Sequence, residues 1–171
     1  MNWYYLVEFV AVLVLAALEM AWTPWLRLSG TVAPNLALAA VVLVGLFRGP
    51  LEGAWMGLAG ALCVGALGDW PLGGLFVAYM GCGVGLGILG QTIFSNRLPV
   101  LMLTVLFAVI AAGTVGLIFS PPPTFGGWIG DLLLRALYSA ALTVPLAWLA
   151  RFLLPHHSAP LPVSAPGRSL L

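Results

Sequence analysis

Apolar residues fill this chain in long runs, and its polar residues fall almost entirely in the gaps between them. The runs cover about 4–25, 34–47, 51–68, 72–94, 99–119 and 128–153. Between them lie Arg48-Gly49-Pro50, Asp69-Trp70-Pro71, Ser95-Asn96-Arg97 and Pro121-Pro122-Pro123, all of which are turn or breaker chemistry. A helix needs about 20 apolar residues to cross a bilayer. The pattern therefore predicts an all-α integral membrane protein with a bundle of six transmembrane helices, residues 1–154. The second run is short, and if it re-enters instead of crossing the count falls to five. Residues 155–171 are proline-rich without an apolar face, which predicts a disordered tail.

Composition agrees. The chain is 62% hydrophobic and 6% charged, with a mean hydropathy of +1.11, against roughly 25% charged residues in soluble domains. A segment of 171 residues divided into six spans leaves no room for a soluble domain. There is no lysine and the net charge is +1, so no nucleic-acid surface is expected. Trp3, Tyr4 and Tyr5 at one end of the first span, and Trp22 and Trp25 at the other, fit the two aromatic belts of a membrane. The N-terminal stretch lacks a basic region and a clear cleavage site, and reads as a mature span. With the N-terminus inside, Arg48, Arg97, Arg151 and Arg168 are cytoplasmic, while Arg27, Asp69 and Asp131 are outside. That is the positive-inside bias, and it puts both termini in the cytoplasm.

Glycines dominate the stretch Gly49 to Gln91. Gly53, Gly57, Ala61 and Gly65 recur every four residues on the third span, as do Gly81 and Gly85, and Gly83 and Gly87, on the fourth. Small residues at this spacing let helix backbones approach closely, either within one chain or against a partner helix. Among the charges, Glu8 and Glu19 are 11 residues apart on one face of the first span. Depth counting matches Glu19 with Arg135 and Glu8 with Arg151. These are expected intramembrane ion pairs between antiparallel spans one and six, preferred over a proton relay because only one acid lies clearly within a span away from its ends. Asp69 is placed to cap the helix that follows it.

Catalytic constellations are missing. His156 and His157 sit in the tail, no metal-ligand spacing occurs, and GCGVGLG at 81–87 lies within a helix rather than after a strand. No enzyme activity, cofactor or metal is expected. Cys63 and Cys82 differ in depth by roughly 10 Å at the helical rise, too far for a disulfide.

Pro34-Asn35-Leu36, then Arg48-Gly49-Pro50 with Gly53, Gly57 and Gly60, then Gly68-Asp69, Leu72-Gly73 and Tyr79 with Gly83 and Gly87, resemble the rod shape-determining protein MreD family. The resemblance covers about residues 30–95. It implies a non-enzymatic membrane subunit of the bacterial cell-elongation (rod) complex, in the bacterial inner membrane. Such a subunit binds MreC and, through it, the MreB filament system, RodA and a penicillin-binding transpeptidase, and helps regulate peptidoglycan synthesis and cell shape. The implied fold is similar to the substrate-binding subunit of energy-coupling-factor transporters. A vitamin-binding transporter subunit is the alternative reading. The first predicts a dry bundle; the second needs convergent polar groups, for which Asp69, Asp131, Thr31, Thr124 and Tyr79 are the candidates. The expected partner or packing interface comprises Gly53, Trp55, Gly57, Gly60, Asp69, Trp70, Gly83 and Gly87.

Overall fold

A helix that is apolar all round has to be buried, because it has no face to offer water. The segment Leu36–Arg48, LALAAVVLVGLFR, has that character, and the whole bundle is arranged around it. The computed structural model describes residues 3–26, 32–68, 71–92, 98–122 and 124–153, with the side chains of 3–8, 20, 22–26, 91–92 and 150–153 outside the description. Among the described residues there are six helices: α1 (Trp3–Leu26), α2 (Leu36–Arg48), α3 (Pro50–Leu67), α4 (Leu72–Thr92), α5 (Leu98–Phe119) and α6 (Phe125–Leu153). Their ends fall within three residues of the apolar runs.

Every residue of α2 from Leu36 to Leu46 is buried. The other five helices pack around it, touching in the order α1, α3, α4, α5, α6, and each also contacts α2. Among the described residues the ring does not close, because α1 and α6 do not contact each other. Among the described residues, four helices, α3 to α6, are long and apolar enough to cross a membrane, which makes this a multi-pass membrane protein. At 13 residues α2 is not: about 1.5 Å per residue gives a helix of about 20 Å, against a hydrocarbon core of about 30 Å. The expected second span is thus a short central helix preceded by a non-helical stretch, Ala33–Asn35.

The α2–α3 connection is one residue long. Gly49 ends α2, with its N–H on the Gly45 carbonyl at 2.9 Å, and starts α3, accepting from the Gly53 N–H at 3.0 Å. It sits at φ 116°, ψ 178°, a conformation essentially reserved for glycine. Pro50 follows at the first position of α3, where its missing N–H costs nothing.

Lipid tails are as apolar as leucine, so helices in a membrane associate through close packing more than through the hydrophobic effect. Here that packing is backbone on backbone. A Cβ on Gly45 would lie 2.7 Å from the Gly83 carbonyl oxygen, and one on Gly53 would meet that same oxygen and the Gly45 Cα at 2.9 Å. A Cβ on Gly57 would stand 2.6 Å from the Tyr79 carbonyl oxygen, and one on Gly87 would stand 2.5 Å from the Pro50 Cα. Gly60 holds side chains instead, Tyr79 and Val41 at 3.1 and 3.2 Å. The glycine rows therefore seal α2, α3 and α4 together, while Gly81 and Gly85 on the far side of α4 have nothing within 4 Å. Cys63 and Cys82 are both unbridged thiols.

Candidate functional site

The first four N–H groups of any helix lack intrahelical partners. At the start of α2 they belong to buried residues inside the bundle and need acceptors there. Asn35 and side chains from two other helices accept from them, and a third helix braces Asn35. Asn35, the N-cap, accepts from the Leu38 N–H through Oδ1 at 2.9 Å. Glu19 from α1 accepts from the Ala37 N–H through Oε2 at 2.8 Å. Ser139 from α6 accepts the Asn35 N–H through Oγ at 2.9 Å, and its own hydroxyl donates to the Arg135 carbonyl at 2.8 Å. The Tyr79 hydroxyl from α4 donates to Asn35 Oδ1 at 2.9 Å. The Glu19 carboxylate also meets the positive end of the α2 dipole, which favours an anion there. α1, α4 and α6 are thus all tied to one point, the beginning of the buried helix.

Because α2 stops short, the surrounding helices extend past it and frame an open cavity of about 560 Å³. That lies within the roughly 300–1,000 Å³ usual for small-molecule sites. Its floor is the capping cluster, Glu19, Asn35 and Tyr79. Its polar wall is Ser120, Asp131 and Arg135, and its apolar wall includes Leu75, Val109, Phe119 and Trp128. The cavity belongs to the bundle end where α1, α3 and α5 finish and α2, α4 and α6 begin.

Several sequence expectations can now be placed. Gly53, Gly57, Gly60, Gly83 and Gly87 lie at helix contacts inside the chain. Trp55 projects outward and is 63% exposed. Asp69, Trp70 and the tail 155–171 lie outside the described residues, as do the side chains of Glu8 and Arg151. Between spans one and six, where the ion pairs are expected, the described residues show no helix–helix contact, and α2 packs against both. Glu19 and Arg135 do reach the same cavity, but the bond shown for the Glu19 carboxylate goes to the Ala37 amide. The expectation of a dry bundle with no polar pocket is corrected in its second part: a cavity lined by Glu19, Asp131 and Arg135 is present, because a 13-residue central helix cannot fill the length of its neighbours.

Of the polar groups considered for a pocket, Tyr79 and Asp131 line the cavity; Thr124 is exposed and does not. Sequence reasoning missed the capping role of Asn35, although Asn before an apolar run is an N-cap signal. It also missed Ser139, for which no local signal exists, since a lone Ser in an apolar helix usually bonds its own preceding turn. Among the described residues, no group of three or more His, Cys, Asp and Glu side chains is gathered in a way that could hold a metal ion. Compared with known proteins, the chain matches no family model, no curated protein and no solved structure.

Proposed function

We propose that the chain is a non-enzymatic membrane subunit of the bacterial cell-elongation machinery, of the MreD kind. It sits in the cytoplasmic membrane with both termini in the cytoplasm and binds MreC. Through MreC it meets the MreB system, RodA and a penicillin-binding transpeptidase, and it helps regulate peptidoglycan synthesis and cell shape. The reading carries with it a fold similar to the substrate-binding subunit of energy-coupling-factor transporters.

One observation supports it above the others. The residues that carry the resemblance are not scattered; they build one physical unit. Asn35 and Tyr79 belong to the clamp on α2, Gly49 and Pro50 make its one-residue exit, and Gly53, Gly57, Gly83 and Gly87 seal it to α3 and α4. With those glycines turned inward, the face offered to a partner helix is the outer side of α3, where Leu51, Trp55 and Leu62 are exposed. Depleting the protein in its native rod-shaped host tests the proposal. Loss of rod shape, restored by the wild-type chain and not by Gly83→Leu, is expected; normal growth as rods after depletion would sink it.

The cavity favours a second reading, a small-molecule-binding subunit of a transporter, because polar groups converge there beside an apolar wall. The two readings differ in what accompanies the protein: a single-span partner in the first, ATPase subunits in the second.

A further inference from the structure

Every donor at the start of α2 named above has a side-chain acceptor, yet one cation beside it, close enough to Glu19 to feel its charge, keeps a donor that is not met among the described residues. Arg135 Nε is shielded from solvent and has no hydrogen-bond partner among the described residues. Ser139, one turn on, bonds the Arg135 backbone carbonyl rather than its guanidinium. Glu19 faces the same cavity with its Oε2 on the Ala37 amide, and Asp131, one turn toward the open end, is exposed. A guanidinium stays charged at any working pH and presents a planar fork of donors that fits phosphate and carboxylate oxygens. Leaving such donors unmet within a membrane protein is costly. Leu75 of α4 and Ala112 and Phe119 of α5 line the same cavity from other helices, and Trp128 lies two turns before Arg135 on α6. A cationic fork beside an apolar wall, in a cavity of about 560 Å³, selects a molecule with an oxyanion at one end and an apolar body.

We infer that this cavity binds a small amphiphile through a phosphate or carboxylate oxyanion seated on Arg135, with its apolar part against Phe119 and Trp128. The inference rests on the cavity alone and holds for either assembly described above. Two sources supply such an oxyanion, a membrane amphiphile and a soluble anion, and the test separates them. The full chain in a neutral detergent is titrated with dodecyl phosphate, and adducts are counted by native mass spectrometry. A saturable one-to-one adduct is expected, with none for dodecyltrimethylammonium, which has the same tail and the opposite charge. Arg135→Gln weakens the adduct at least tenfold, Arg135→Lys retains part of it, and Ala112→Phe blocks it by filling the apolar wall without altering charge. Displacement by inorganic phosphate at comparable concentration assigns the site to a soluble anion; resistance to a large excess assigns it to the amphiphile. The inference is overturned if wild-type protein forms no saturable adduct, if the ammonium probe binds equally well, or if Arg135→Gln leaves binding unchanged.

Discussion

Replacing Gly57 by alanine adds one methyl group at the tightest kind of contact in this bundle. The new Cβ would stand 2.6 Å from the Tyr79 carbonyl oxygen and 2.9 Å from the Met80 Cα. These are backbone atoms of α4 and cannot rotate away. Ordinary contact begins at 3.4 Å, so the two helices must part locally by about 0.8 Å, a gap that forfeits a quarter to a half of each dispersion contact across it. Overpacking of this kind costs about 1–3 kcal/mol. For a chain of this size that lowers the melting temperature by roughly 2–12 °C. Gly85→Ala is the internal control, since nothing lies within 4 Å of its Cβ position. It gains up to about 1 kcal/mol of helix propensity, less whatever the lipid environment offsets. Thermal unfolding in mild detergent, followed by circular dichroism and by recovery of monodisperse protein, measures both. If Gly57→Ala melts with the wild type, or Gly85→Ala is the more damaging of the two, the inward assignment of the Gly57 row is wrong.

The capping cluster makes further predictions in the same assay. Glu19→Ala strands the buried Ala37 N–H and should cost about 1–3 kcal/mol, whereas Glu19→Gln keeps an acceptor and should lose less. Equal losses in both would show that charge, not capping, is what Glu19 supplies. Tyr79→Phe removes one hydrogen bond to Asn35 and should cost about 0.5–1.5 kcal/mol, and little further in an Asn35→Ala background, where the acceptor is already gone. Full additivity of that pair would argue against the bond. Gly49→Ala forces a side chain into a φ of 116° and should cost at least about 1–3 kcal/mol; an unperturbed melt would mean the α2–α3 link is built differently.

Six helices and most of their ends were readable from apolar runs and from the breakers between them, because Gly49-Pro50 and Asp69-Trp70-Pro71 leave a helix no way to continue. The centrality of α2 was also written in the chain, as a helix apolar on all sides, but run length alone drew attention to its shortness instead. The bond from the Ala37 amide to Glu19 was not readable. Depth counting sought an opposite charge and found Arg135, which does share the cavity, while the hydrogen bond to Glu19 Oε2 is donated by a backbone N–H 18 residues away. Unpaired amides at a buried helix start have no signature in side-chain composition. The cavity followed from a difference in helix lengths, which became visible only once α2 was seen to stop at Leu36. The glycine spacing marked close packing but not its direction; the contacts of Gly53 and Gly83 with each other decide that.

Purification of the tagged full-length chain from its native host in mild detergent, with identification of the companions by mass spectrometry, bears most directly on the proposed role. Stoichiometric recovery of a single-span protein with a large extracytoplasmic domain, reduced by Trp55→Ala at unchanged levels of the chain, is the predicted result. Recovery of ATPase subunits with a bound vitamin, and no such single-span companion, would contradict it.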